Sequence, residues 1–405
     1  MANHKTSFFQ RLKTLSWFVL AACFCQFSWA ENIKIGVIGP FTGPSSDFGV
    51  PMLNGIKLAV GEINAVGGYF GRALELVIKD DQGDPNTGLQ AAEALVAEKV
   101  ITTIGFCNTG VAMKALDVFQ KAKMPLIVPC ATGTPITTKF PAPESYVFRT
   151  SARDAIQAPF VVQDIIKRGW QKVAVFADTT GYGDAGLADV LAALQEKGLK
   201  PVHVARFGLG VKDLTADLKA ARQAGANVVF SYTVGTENAV IAKGKKILNW
   251  KVPQVGAWPL SFPFFIEGAQ DAAEGALMAQ TFIAEPSNER RRTFLSAYAR
   301  NYKQALKVPM AAAQGYDAAY LLLYSWFGVK IDTALSGTVI KAALENIPRT
   351  YFGVVATYEK PFSLNDKDAI TENMLVMGKI QQGRVTFAYP EGAQQSLFSK
   401  RKPQK

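Results

Sequence analysis

The chain has 405 residues, 49% of them hydrophobic, with 44 Lys and Arg against 33 Asp and Glu, and two histidines. That length and apolar share allow two or three domains with sizeable cores and exclude a disordered or low-complexity chain. Since His4 falls in the leader described next, only His203 remains, which weakens a His-rich metal site, a His-x-Glu deaminase centre and most catalytic triads.

Residues 1–30 carry Lys5, Arg11 and Lys13 and no acid, followed by an apolar run from Leu15 to Ala30. Ser28-Trp29-Ala30 supplies small residues at the −3 and −1 positions of a cut before Glu31. This is the pattern of a secretory signal peptide, and the run is too short to span a bilayer comfortably. Leu20-Ala21-Ala22-Cys23 offers an alternative, a lipobox that would leave a lipid-anchored Cys23 as the first mature residue. The run continues past Cys23 and the first strand begins only at Ile33, which favours the cut before Glu31. The product is expected to be exported, with its net charge lowered by the three cations of the leader. The remaining excess is diffuse apart from Arg290-Arg291-Arg292 and Lys400-Arg401-Lys402. It reads as solvated basic surface and not as a nucleic-acid stripe. Of four cysteines, Cys107 and Cys130 remain, either as one disulfide or as two thiols packed as small apolar residues.

From Glu31 onward short apolar runs alternate with helical patterns. Residues 33–38 read as a strand, and apolar positions 52, 56, 59, 60 and 63 as one face of a helix. Residues 74–78 form the next strand, before a helix that Asp84 caps and Pro85 opens. Strands at 101–105 and 126–128 flank a helix at 111–122. A second series has strands at 172–177, 202–207, 228–232 and 254–257, with helices near 154–168, 184–197, 213–224 and 236–248. Residues 285–350 are mainly helical, and strand character returns at 353–358 and 374–380. This order predicts an α/β chain of two doubly wound parallel-sheet lobes. In such sheets ligands sit beyond the carboxyl ends of the strands, which points to the turns at 39–48, 105–110 and 129–133.

The residues resemble a known family. Ile33-Lys-Ile-Gly-Val-Ile-Gly-Pro40, Thr42-Gly43-Pro44, Asn54-Gly55, Glu62-Ile-Asn64-Ala-Val-Gly67-Gly68 and Gly71-Arg72 follow the opening of the leucine/isoleucine/valine-binding proteins. These are the type I periplasmic binding proteins of ABC importers. Asp80-Asp81-Gln-Gly-Asp84-Pro85, Pro129-Cys-Ala131-Thr132 and Gly181-Tyr182-Gly183 fit later turns of that family, and the likeness runs along nearly all of residues 31–390. The resemblance implies a ligand cleft between two lobes joined by three crossovers, near Arg149, Ala284 and Tyr358. Lobe 1 would comprise 31–149 and 285–357, lobe 2 would comprise 150–284 and 358–395, and 396–405 would be a basic tail. It further implies a periplasmic location, membrane permease subunits as partners, a small carboxylate as ligand, a monomer and no cofactor.

Carried over by spacing, Thr109 and Thr132 hold the ligand carboxylate, with Asn108 beside them. Cys130 and Ala131 present backbone, and Phe48, Tyr182 and Trp258 form walls. Helix capping is the competing role for both threonines, ordinary core for Phe48, and turn and cap roles for the acids Asp80, Asp81 and Asp84, which lack a full calcium loop. The family's disulfide partners fall on Gly83 and Asn108, its ammonium-receiving acid on Trp258 and a second-lobe tyrosine on Val234. With Phe106, the aromatics describe a slot for a flat acid without an amine, and Trp258-Pro259-Leu260-Ser261 resembles the aromatic-acid branch. Hydrophobic amino acids are the alternative, with the Trp258 face or Glu237 taking the ammonium. A ligand sensor using the same lobes, and a hydrolase or lyase built on His203, are the competing functions. Asp47-Phe48-Gly49 spells a kinase magnesium motif but has none of its companions, and there is no Gly-x-Ser-x-Gly elbow or phosphate loop.

Overall fold

A computed structural model describes residues 31–398 and 400–403; the leader, with Cys23 and its alternative processing sites, lies outside the described residues. The first half runs β1 (Ile33–Gly39), α1 (Ser46–Ala65), β2 (Leu74–Asp80), α2 (Pro85–Ala97), β3 (Thr103–Gly105), α3 (Thr109–Lys121), β4 (Leu126–Val128), α4 (Pro135–Thr138) and β5 (Val147–Arg149). It continues with α5 (Asp154–Lys167), β6 (Val173–Asp178), α6 (Gly181–Glu196), β7 (His203–Phe207), α7 (Thr215–Gln223), β8 (Val228–Tyr232), α8 (Glu237–Ile247) and β9 (Gln254–Gly256). Then come α9 (Pro263–Ala269), β10 (Leu277–Gln280), α10 (Glu289–Asn301), α11 (Pro309–Trp326) and α12 (Gly337–Glu345). The chain closes with β11 (Tyr351–Phe352), β12 (Thr357–Tyr358), β13 (Val376–Gln381), β14 (Arg384–Phe387) and α13 (Pro390–Ser396).

Two sheets result. The first has order β2-β1-β3-β4-β5 and is parallel throughout, as its nearly continuous apolar strands require. The second has order β14-β13-β10-β9-β8-β6-β7. It is parallel from β10 to β7, but β13 and β14 add an antiparallel edge, so this lobe is mixed where a purely parallel sheet was expected. β14 is antiparallel because Gln382 and Gly383 both take positive φ and turn the chain back after β13 in a tight hairpin. At α2, Asp84 accepts from the Asn86 and Thr87 amides and Pro85 opens the helix, as its sequence predicts.

Helices α10 to α12 leave the second sheet and return to the first, where α11 lies along α1. Their backbones touch at Gly55, where a β-carbon would stand 2.0 Å from the Ala312 carbonyl oxygen. Residues 353–358 are not the continuous strand their apolar run suggests. The buried carboxylate of Asp317 on α11 accepts from the Val354 and Val355 amides, both at 2.8 Å, and from the Tyr351 and Tyr358 hydroxyls. With those amides taken, the chain turns, and β11 pairs with β12 in a two-residue ladder. Burial pushes the Asp317 carboxyl up to about 6.

Neither basic cluster is simply solvated. Arg290 stacks over Tyr316, Tyr320 and Tyr351, and Arg291 is buried over Phe282; only Arg292 of the three is exposed. In the tail, the Thr357 amide donates to the Lys400 carbonyl at 2.8 Å, Arg401 pairs with Glu359, and Lys402 pairs with Asp366 at 2.7 Å. Among the described residues, no helix is long and apolar enough to cross a membrane.

Because α1 and α11 meet backbone to backbone, Gly55→Ala should cost about 1–3 kcal/mol by forcing the helices apart. Urea denaturation would read this as a lowered midpoint with an unchanged slope; an unchanged midpoint would mean that the helices give way freely.

Candidate functional site

The carboxyl ends of β1, β3 and β4 deliver three turns to one side of the first sheet, facing the turns after β6, β8 and β9. Asp80 organises the first turn by accepting from the Phe41 amide at 2.8 Å and the Thr42 hydroxyl at 2.5 Å, and its hydrogen bonds outweigh burial to lower its pKa. Asn108 sits at the N-cap position of α3 but spends its amide on the Ser45 hydroxyl. Thr109 is the first helical residue, and its hydroxyl accepts from the Gly133 amide at 3.2 Å, joining the second and third turns.

From the other lobe, Thr180 caps α6 and Tyr182 enters from its first turn, with its ring 4.9 Å from that of Tyr232. Trp258 opens a 3-10 turn and stands edge-on to Phe262 at 4.8 Å. Phe262 in turn reaches Phe48 of the first lobe at 5.1 Å, so aromatic rings meet across the cleft. The lobes also meet where α3 and α6 approach end to end: a β-carbon on Gly181 would stand 3.0 Å from the Gly110 α-carbon. The Thr134 hydroxyl donates across to Asp189 at 2.7 Å.

These groups enclose an inner cavity of about 10 Å³, lined by Phe48, Thr109, Thr132, Tyr182, Trp258 and Phe262 among others. That is room for about one water. Outside it, sharing Asn108, Thr109, Tyr182 and Val234, opens a vestibule of about 680 Å³, within the size range of ligand pockets. Behind the inner cavity lies Asp154, fully buried at the start of α5. Its amide donates to the Thr132 carbonyl, and its Oδ1 accepts from Gln157, whose own oxygen accepts from the Trp258 amide. Asp154 Oδ2 and the hydroxyls of Thr132, Tyr182 and Tyr232 make no well-formed hydrogen bond. Burial pushes the Asp154 carboxyl up to about 7 against the pull of the Tyr232 and Thr132 hydroxyls. Burial likewise carries the Tyr182 and Tyr232 hydroxyls well above their ordinary range. These four polar groups are buried together, with the Tyr232 and Thr132 hydroxyls placed to donate to the Asp154 carboxylate, so the wall behind the inner cavity is polar where the rest of it is aromatic.

A sequence model of the periplasmic binding protein family matches residues 32–381. The chain belongs to that family. Among its relatives is "Leu/Ile/Val-binding protein homolog 3" of Brucella melitensis, 35% identical over 236 residues, with 57% of this chain and 63% of that protein covered. The chain thus spans just under two thirds of that relative's length. The leucine-, isoleucine-, valine-, threonine-, and alanine-binding protein of Pseudomonas aeruginosa is 28% identical over 69% of this chain and 75% of its own. A branched-chain amino acid transporter substrate-binding protein of Streptococcus pneumoniae, solved with isoleucine, superposes with a TM-score of 0.74 at 22% identity, covering 87% of this chain and 97% of its own. A solute-binding protein of an ABC transporter from R. palustris, solved with benzoate, does so with a TM-score of 0.73 at 19% identity, covering 88% of this chain and 95% of its own. The two structures share the fold. The chain accordingly belongs with the leucine/isoleucine/valine-binding proteins of that family.

Of the eight site residues expected in this binding protein, Phe48, Asn108, Thr109, Thr132, Tyr182 and Trp258 line the inner cavity together. Cys130 and Ala131 lie behind it, fully buried, with the Ala131 amide already donated to the Phe106 carbonyl. Phe106 too lies in the first lobe's core, so the expected slot loses that wall to Phe262. Neither threonine caps a helix: Asn108 and Thr134 hold those positions. Phe48 is both core and wall. Glu237 borders the vestibule, where the Gly210 amide donates to it at 2.6 Å. Gly83 and Asn108 are neighbours, the placement a family disulfide there would need. His203 lies on the edge strand β7, 3.7 Å from Asp217 and away from the cleft. Among the described residues, no group of His, Cys, Asp and Glu could hold a metal ion. Sequence reasoning missed Asp154, Tyr232 and Phe262.

A raised Asp154 pKa means that the folded protein holds this proton more tightly than the unfolded chain. The resulting stability is complete below about pH 4 and is lost as the pH rises toward 7. Asp154→Asn cannot suffer that loss. Its melting temperature should exceed that of the wild type at pH 8, with a gain that shrinks toward pH 4–5. An equal shift at both pH values would show that Asp154 is charged throughout.

Proposed function

We propose that this protein is the substrate-binding component of an ABC importer of the branched-chain amino acid type. It captures a small carboxylate in the periplasm and hands it to membrane permease subunits. The observation that carries this reading is a cavity walled by aromatic rings from both lobes, lined by Thr109, Thr132 and Tyr182 and backed by the buried Asp154 carboxyl. Thr109 and Thr132 offer hydroxyls to the carboxylate, and Phe48, Trp258 and Phe262 cover an apolar body. Because the inner cavity holds only about one water, ligand enters with the lobes apart, and its contacts to both sides favour the closed form that the permease reads.

The ligand is an aromatic or other amine-free acid, or else a hydrophobic amino acid. Asp154 supports the second more than the sequence does, since an ionised carboxylate there is an acid for the ammonium that Trp258 displaced. The two differ in pH dependence. Asp154 is protonated below about pH 7, so an amine-free carboxylate should bind more tightly at pH 6 than at pH 8, and an amino acid the reverse. Calorimetric titration of the ligand-stripped protein with leucine, isoleucine, valine, phenylalanine, benzoate and cinnamate at both values decides between them. Sub-micromolar leucine or valine binding, with no response to the aromatic acids, would sink the amine-free reading.

Thr109→Val and Thr132→Val each remove a charge-assisted hydrogen bond worth about 1.5–3 kcal/mol, so affinity for the ligand so found should fall at least tenfold. Unchanged affinity in both would place the carboxylate elsewhere. Ligand should also shrink the radius of gyration in X-ray scattering, and Tyr182→Ala should weaken binding and compaction together. Tight binding without compaction would point to a site within one lobe.

A further inference from the structure

Two cysteines lie directly beneath the clamp. Cys107 precedes Asn108 and Thr109, and Cys130 precedes Ala131 and Thr132; both are buried free thiols. The Phe106 carbonyl accepts from the Ala131 amide at 3.0 Å, so Cys107 and Cys130 flank a single backbone hydrogen bond. The two thiols are close enough for Cys130 to help raise the pKa of Cys107, and the Cys107 sulfur lies 3.5 Å from that of Met52. Their surroundings differ in access. Cys107 borders the inner cavity, whereas Cys130 is wholly enclosed.

We infer that Cys107 and Cys130 are a dithiol that oxidises to an intramolecular disulfide beneath the cleft, tying the loop that carries Thr109 to the loop that carries Thr132. The oxidant is a disulfide-bearing thiol oxidant. Cys107, as its thiolate, attacks one sulfur of the oxidant and expels the other as a thiolate, giving a mixed disulfide. The Cys130 thiolate then attacks the Cys107 sulfur and expels the second oxidant thiolate. The protein loses two hydrogens and two electrons net, and the oxidant leaves as two thiols. With the lobes closed, burial holds the Cys107 thiol well above its ordinary pKa and keeps reagents out, so the reaction belongs to the open form. Once formed, the link closes the loop from 107 to 130, holding the two halves of the clamp in register in both open and closed states.

The test uses the purified mature protein in a glutathione redox buffer, quenched with acid, then denatured, alkylated and analysed by peptide mass spectrometry. Wild type should yield a linked peptide pair containing Cys107 and Cys130, and no lasting glutathione adduct. Cys130→Ser should trap glutathione on Cys107, and Cys107→Ser should leave Cys130 as an unmodified thiol. The oxidised protein should melt several degrees above the reduced one. Two alkylated cysteines in wild type at high oxidised glutathione, or a stable glutathione adduct on wild-type Cys107, would overturn the inference. So would a soft metal ion held by the pair in the native mass spectrum of the oxidised sample. Each readout concerns sulfur alone and stands apart from which ligand the cleft takes.

Discussion

Arg149 ends β5 with its guanidinium fully buried, and its hydrogen bonds join the Thr132 loop to the chain around Asp368. Its Nε donates to Asp368 at 2.6 Å, one Nη to the Thr132 and Gly133 carbonyls at 2.9 and 2.8 Å, and the other Nη to the Thr137 hydroxyl at 2.7 Å. The Arg149 amide and carbonyl pair with Lys367 and Ala369, so the chain leaving the first lobe and the chain re-entering the second run side by side at this point. Burying such an ion costs several kcal/mol, which only a full set of well-aligned acceptors offsets. The flat, forked guanidinium can reach all of them at once, which a lysine could not. The Thr132 loop is therefore referenced to the crossovers and not only to its own sheet.

With the clamp so fixed, the cleft is balanced between two opposing terms. Phe262 against Phe48 and Trp258 supplies apolar contact across the lobes without any guest. The buried polar groups of Asp154, Thr132 and Tyr182, stripped of water, work against that same closed arrangement. A ligand that displaces rings but leaves those groups unmet gains little, and one that meets them but adds no apolar surface loses the ring contacts. On the proposed reading, selectivity comes from the combination, a carboxylate on an apolar body of the right thickness.

Much of this was legible in the residues because it is local. The capped start of α2, the βα alternation and the turns holding Thr109, Thr132 and Tyr182 are all set by near neighbours in sequence. What was not legible depends on partners far along the chain. Asp154 opens an amphipathic helix like many exposed acids, and nothing near it announces its burial. Arg290 and Arg291 look like a surface charge run because the tyrosines that receive Arg290 come from positions 316, 320 and 351. Residues 353–358 carry a short apolar run like a strand's, yet a carboxylate on α11 takes the amides that a sheet would need.

The docked tail has a practical consequence. Lys400 and Arg401 lie against β12, and the Lys402 ammonium donates to the Pro361 and Asp368 carbonyls, the latter belonging to the residue that pairs with Arg149. If the lobes close about this point as proposed, a reporter fused behind this end leaves the molecule beside the moving joint, not from a passive face of either lobe. A fluorescent domain attached there would sense opening directly, which suits a biosensor. An affinity handle attached there would load the same joint.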